Sequence, residues 1–201
     1  MNHAALQETG FDPSVDSQAV FRLLLEATAR PGTRVMLGPA RLSVQPERLR
    51  PACLLLLSIL DPEVSLAVLG PDAAALATYL CVNTGVRRAT ALAEADFVFV
   101  TGPDSQGRIR EAKCGQLDAP HSGATVVYAP TSLSDAGPVV LRLTGPGIPK
   151  ERRLAVTGVS REEWRTLAAL RDFPLGVDIW LAAPDACAAV IPRSTRWTLE
   201  A

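Results

Sequence analysis

The sequence predicts an α/β fold: a mixed, mostly parallel sheet with flanking helices. Two observations carry that expectation. In the first half, short apolar runs alternate with stretches of helical periodicity, which is how parallel strands joined by crossover helices read. In the second half, apolar runs follow one another more closely, so antiparallel strands are expected to extend the sheet at one side.

The elements follow in order. Residues 1–10 read as a flexible tail, and residues 11–201 as a single α/β domain. A helix is expected from Pro13 or Ser14 to Arg30, with Val20, Phe21, Leu24 and Leu25 as its buried stripe and Pro31-Gly32 as its stop. Residues 33–37 suit a short strand. Residues 49–60 form a second helix with Pro51 in its first turn. It is apolar nearly all round, which predicts deep burial or a subunit contact. A strand at 65–69 leads through Gly70-Pro71 to Asp72, the expected N-cap of an alanine-rich helix over 73–82. A short helical piece at 87–94 and a strand at 96–100 follow. Residues 102–119 lack periodicity and read as a functional or poorly ordered loop. Strands at 125–128 and 139–144 are expected as antiparallel neighbours. Ser160-Arg161-Glu162-Glu163 is a capping box opening a helix to Arg171, with Trp164, Leu167, Ala168 and Arg171 on one face. Strands at 177–182 and 188–191 close the chain.

Composition narrows the function. The 201 residues are 48% hydrophobic and carry a net charge of -1. A sizeable core is therefore available, and the basic excess of a non-specific nucleic-acid binder is absent. Cys53, Cys81, Cys114 and Cys187 are widely spaced, which fits reduced thiols in the cytoplasm rather than a metal or redox motif. The longest apolar run, 54–60, falls short of the ~20 residues that cross a bilayer. No membrane or nucleic-acid partner is expected.

Candidate ligand or interface residues are Arg142, Thr144, Gly145, Gly147, Lys150, Asp178, Arg193 and Thr195. Glycines beside Lys150 suggest a phosphate cradle, but Pro146 and Pro149 remove amides such a cradle would use, and the spacing is not that of a P-loop. Asp178 and Arg193 lie near strand ends, as a ligand site or as an ion pair. His121, the one histidine outside the expected tail, has Asp118 and Cys114 as candidate partners that the sequence does not place beside it, and no clustered metal ligands or nucleophile elbow appear.

Three stretches join an apolar run to a Pro/Gly turn: Leu141-Arg142-Leu143-Thr144-Gly145-Pro146-Gly147-Ile148, Phe173-Pro174-Leu175-Gly176-Val177-Asp178 and Ile191-Pro192-Arg193-Ser194-Thr195. With Ser17-Gln18, Phe21-Arg22 and Ala29-Arg30-Pro31-Gly32, they resemble, in order and spacing, the H subunit family of the bacterial carbon–phosphorus lyase core complex. The resemblance spans about residues 11–195. It implies a fold like a reduced large domain of pyridoxal-phosphate-dependent transferases, without the cofactor. It implies a non-catalytic subunit, homodimeric when isolated, that acts with the G and I subunits and an ATP-binding partner. Together they displace adenine from ATP and join the phosphonate to ribose, giving a ribose 1-phosphonate 5-triphosphate, before a J subunit with an iron–sulfur cluster cleaves the carbon–phosphorus bond. The alternative is a stand-alone nucleotide- or phosphonate-binding protein using the turn at 144–150. No cofactor is expected. The only lysines, Lys113 and Lys150, sit in irregular, charged stretches unsuited to holding an aldimine.

Overall fold

A computed structural model describes residue 8 and residues 10–200. Its elements in chain order are α1 (Val15–Ala29), β1 (Val35–Met36), α2 (Arg50–Leu57), β2 (Ser65–Leu69), α3 (Ala73–Thr84), β3 (Arg87–Arg88), β4 (Phe97–Val100), β5 (Thr125–Tyr128), β6 (Ser132–Ser134), β7 (Val140–Thr144), β8 (Arg152–Thr157), α4 (Arg161–Ala169), β9 (Asp178–Ala182), β10 (Cys187–Ile191) and β11 (Arg196–Leu199).

The apolar runs of β2, β4, β5 and β9 lie side by side in parallel at the centre of a seven-stranded sheet ordered β1-β10-β9-β5-β4-β2-β3. β10 and β1 add antiparallel strands at one side, as expected. Strands buried on both faces must be apolar at every position, which is why these runs do not alternate. Their side chains divide by parity. Val127, Ala182 and Val190 face α1, α2 and α3. Val126, Tyr128, Ile179 and Ile191 face the other layer, where they meet Leu141, Leu154, Trp164 and Trp197.

That other layer was not expected. It is a four-stranded antiparallel sheet, β11-β7-β8-β6, with α4 beside it. β5 and β7 are consequently not an antiparallel pair. β5 lies between β4 and β9, while β7 pairs with β8 and β11. The turn-rich link between them holds β6, which starts the second sheet. β10 is not the last strand either, since β11 follows and closes on β7.

Smaller corrections have local causes. α1 buries Val20, Leu24 and Ala27, whereas Phe21 and Leu25 are 48% and 53% exposed. The buried stripe is thus rotated from the one expected. Asp72 precedes α3 with φ 60° and makes no side-chain cap. Residues 87–94 are not helical throughout: Arg87–Arg88 pair with β2, and only Leu92–Glu94 make a 3-10 turn. Residues 102–119 hold a 3-10 turn at Arg108–Glu111 that buries Ile109.

α2 is buried from Pro51 to Leu57, as its all-round apolarity requires. It fills the layer under the sheet within one chain, so its apolarity gives no reason for a second copy. The tail expected at 1–10 lies mostly outside the described residues. Glu8, within it, accepts hydrogen bonds from the Tyr79 hydroxyl (2.7 Å) and the Ser43 amide (2.6 Å). Among the described residues no helix is long and apolar enough to cross a membrane.

Candidate functional site

Open α/β sheets bind ligands outside the carboxyl ends of their parallel strands. Here that edge has an unusual chemistry. A proline follows each of β2, β4, β5 and β9 within three residues: Pro71, Pro103, Pro130 and Pro184. All four line one crevice of about 390 Å3. Proline has no amide hydrogen, so the strand ends offer few of the donors that cradle a phosphate. Two of the other polar side chains there, Arg48 and Thr101, are engaged with backbone carbonyls. Arg48 Nη1 donates to the Thr101 carbonyl (3.1 Å), and the Thr101 hydroxyl donates to the carbonyls of Pro71 (2.6 Å) and Leu69 (3.1 Å).

A buried carboxylate lies deeper in the second layer. Glu163 is 2% exposed and accepts from the Tyr128 hydroxyl (2.6 Å) and the Ser105 hydroxyl (3.0 Å). Burial, with the Glu163 charge added, pushes the Tyr128 phenol well above its usual range, so it stays a donor. Only half of the expected capping box forms. Ser160 Oγ accepts from the Glu163 amide (3.1 Å), but the Ser160 amide donates to the Pro103 carbonyl (2.8 Å). The Glu163 side chain therefore ties α4 to β5 and to the 102–119 segment.

Asp178 opens β9, and so lies at the amino end of the parallel strands, away from the proline-lined crevice. Here the three Pro/Gly stretches converge on a cleft of about 570 Å3. Thr144, Gly145 and Pro146 come from the end of β7, Asp172 and Phe173 from the segment after α4, and Arg193 and Ser194 from the turn after β10. The β9–β10 hairpin brings Arg193 back to Asp178, where Nη2 donates to Oδ2 (2.5 Å) and Nε donates to both oxygens. The guanidinium also donates to the carbonyls of Pro120 and Gly123. Arg193 thus holds three segments together, and its charge is neutralised by Asp178.

The remaining candidates separate. Thr195 is fully buried and its Oγ1 has no hydrogen-bond partner among the described residues. Gly147 (φ 79°) packs against the end of α1, and an added Cβ would lie 2.2 Å from the Ala29 carbonyl oxygen. Arg142 points outward from β7, paired with Glu151 (3.3 Å) and Glu200 (3.5 Å). Lys150 is exposed and does not line the cleft. Of the other lysine, Nζ bonds Asp96 Oδ1 at 2.5 Å. Burial acts to raise the Asp96 carboxyl, but the bonds from Lys113 and Ser65 outweigh it and hold it below its usual range. His121 is exposed in a 3-10 turn.

Two cleft residues escaped the sequence reading. Arg171 Cζ lies 4.3 Å from the centre of the Trp197 ring. Arg196 opens β11 and lines the same cleft. Burial, together with the Arg196 charge, lowers the Arg171 guanidinium from its usual value. Their signal in the sequence was position: Arg196 directly follows one of the Pro/Gly stretches and Arg171 stands two residues before another.

Fold and site describe a three-layer α/β protein, helices, central sheet and second sheet, whose motif residues mostly brace loops, with an arginine-lined cleft at the amino end of its parallel strands. The chain belongs to the family described as bacterial phosphonate metabolism protein (PhnH), whose family model matches residues 9–198. It is also 36% identical over 186 residues to the putative C-P lyase subunit protein HtxG of Stutzerimonas stutzeri, covering 91% of this chain and 86% of that protein.

Proposed function

We propose that this chain is an accessory, non-catalytic subunit of the carbon–phosphorus lyase system, working in the cytoplasm with the G, I and J subunits. In this reading it is required when ribose triphosphate is transferred from ATP to a phosphonate. Its fold is that of a reduced pyridoxal-phosphate transferase domain that uses no cofactor. Family membership and the name of the relative support the system. The observation that carries the non-catalytic role is the proline-lined crevice at the carboxyl ends of the strands, where an α/β enzyme ordinarily places its donors. The reading includes a homodimer for the isolated chain. Support for it comes from Val15, Phe21 and Leu25 on α1 and Met36 on the neighbouring edge strand, all 48–64% exposed.

Co-expression with the G, I and J subunits tests the assembly. A tag on this chain is expected to bring all three through affinity and size-exclusion steps as one stoichiometric peak. Elution of this chain alone, with the partners folded and present in the lysate, sinks the proposal.

A further inference from the structure

All four buried side-chain polar atoms without a partner among the described residues belong to one neighbourhood. They are Trp164 Nε1, Arg171 Nη1, Thr195 Oγ1 and Trp197 Nε1. Trp164 and Trp197 meet edge to face at 6.1 Å, and Arg171 stacks on Trp197. Thr195 sits in the chain between Ser194 and Arg196, both of which line the amino-end cleft. Buried polar groups are nearly always satisfied, so four unsatisfied ones in one place call for a cause.

The charges point the same way. Arg193 is neutralised by Asp178, but neither Arg171 nor Arg196 has a carboxylate within ion-pair distance among the described residues. The cleft wall offers one carboxylate, the exposed Asp172. Two like charges therefore face one cavity, and each makes the other less favourable until an anion sits between them. The hydroxyl-bearing Thr144 and Ser194 also line the cleft, and Phe173 (66% exposed) and Pro146 give it an apolar wall. About 570 Å3 is the size of a small-molecule site.

We propose that this cleft binds the phosphate or phosphonate group of a small organic anion, with Arg171 and Arg196 as its charge partners and Phe173 and Pro146 against its apolar part. Arginine is suited to this role because its planar fork matches a tetrahedral oxyanion through paired hydrogen bonds. The inference does not depend on assembly with other subunits, and its test uses the isolated chain.

Calorimetric titration with inorganic phosphate, phenylphosphonate and benzoate tests it, with tryptophan fluorescence as a second readout through Trp197. Phenylphosphonate is expected to bind most tightly, about tenfold or more above phosphate. Arg196→Ala is expected to weaken it at least about tenfold, because that exposed side chain has no ion-pair partner among the described residues. Arg171→Lys keeps the charge but loses the fork, and is expected to weaken it similarly without lowering Tm by more than a few degrees. Lys150→Ala, outside the cleft, should change nothing. Absence of heat from phenylphosphonate at millimolar concentration overturns the proposal. So does binding that survives both arginine changes, or binding lost with Lys150, which would put the site on the 144–150 turn. Benzoate binding as tightly as phenylphosphonate also overturns it, marking a carboxylate-docking site instead.

Discussion

Gly147→Ala is expected to destabilise the protein by about 2–5 kcal/mol, the sum of two penalties. At φ 79° an L-residue occupies the left-handed region, which costs roughly 1–2 kcal/mol. The new Cβ would also lie 2.2 Å from the Ala29 carbonyl oxygen and 2.9 Å from Pro31 Cδ, so the β7–β8 turn or the end of α1 must move. Overpacking of this kind typically costs about 1–3 kcal/mol more. For a chain of this size the Tm should fall by roughly 10 °C. Gly38→Ala separates the two penalties, since Gly38 has a similar φ of 83° but nothing within 4 Å of an added Cβ. It should lose only the backbone part. If Gly147→Ala melts no lower than Gly38→Ala, the turn does not brace α1 as described.

Arg193→Ala should cost about 3 kcal/mol, toward the low end for breaking a buried ion pair because Asp178 keeps some exposure. Asp178 would retain the Arg193 amide (2.8 Å) but lose the guanidinium; the Gly123 carbonyl would lose its donor, and the Pro120 carbonyl would keep only the Gly123 amide (3.2 Å). Arg193→Lys should recover only part of the loss, since one ammonium cannot reach three segments with the geometry of a fork. Urea denaturation of the three proteins gives the measurement. Wild-type stability in Arg193→Ala, combined with weakened anion binding, would reverse the assignment and make Arg193 a ligand residue.

The central sheet was legible because burial on both faces leaves no choice of residue. Runs such as Phe97-Val98-Phe99-Val100 and Thr125-Val126-Val127-Tyr128 fit little else. Of the second sheet only β7 was legible as a strand, and the rest was harder to see. β8 opens with Arg152-Arg153, and β6 is only three residues long. β11 alternates as Arg196-Trp197-Thr198-Leu199, a period-two signal that went unread. The stripe of α1 was misplaced because Phe21 and Leu25 are apolar but exposed, and periodicity alone cannot say which apolar face is covered.

The site was legible in outline only. The three Pro/Gly stretches do meet at one cleft. Whether a given arginine is engaged or free depends on contacts distant in sequence. Arg193 finds Asp178 through a hairpin, Pro120 lies 73 residues away, and Arg171 meets Trp197 across two elements. No local pattern encodes those meetings. The proline-lined crevice, by contrast, was written in the spacing of each proline after its strand.

The claim of an accessory subunit is tested most directly by reconstitution. The G and I subunits, the ATP-binding partner and this chain would be combined with ATP and methylphosphonate, and the products followed by phosphorus NMR. A phosphonate ester resonance is expected when all the proteins are present, to be lost when this chain is omitted, and never to arise from this chain alone. Turnover by the isolated chain, or an unchanged rate in its absence, would contradict the account.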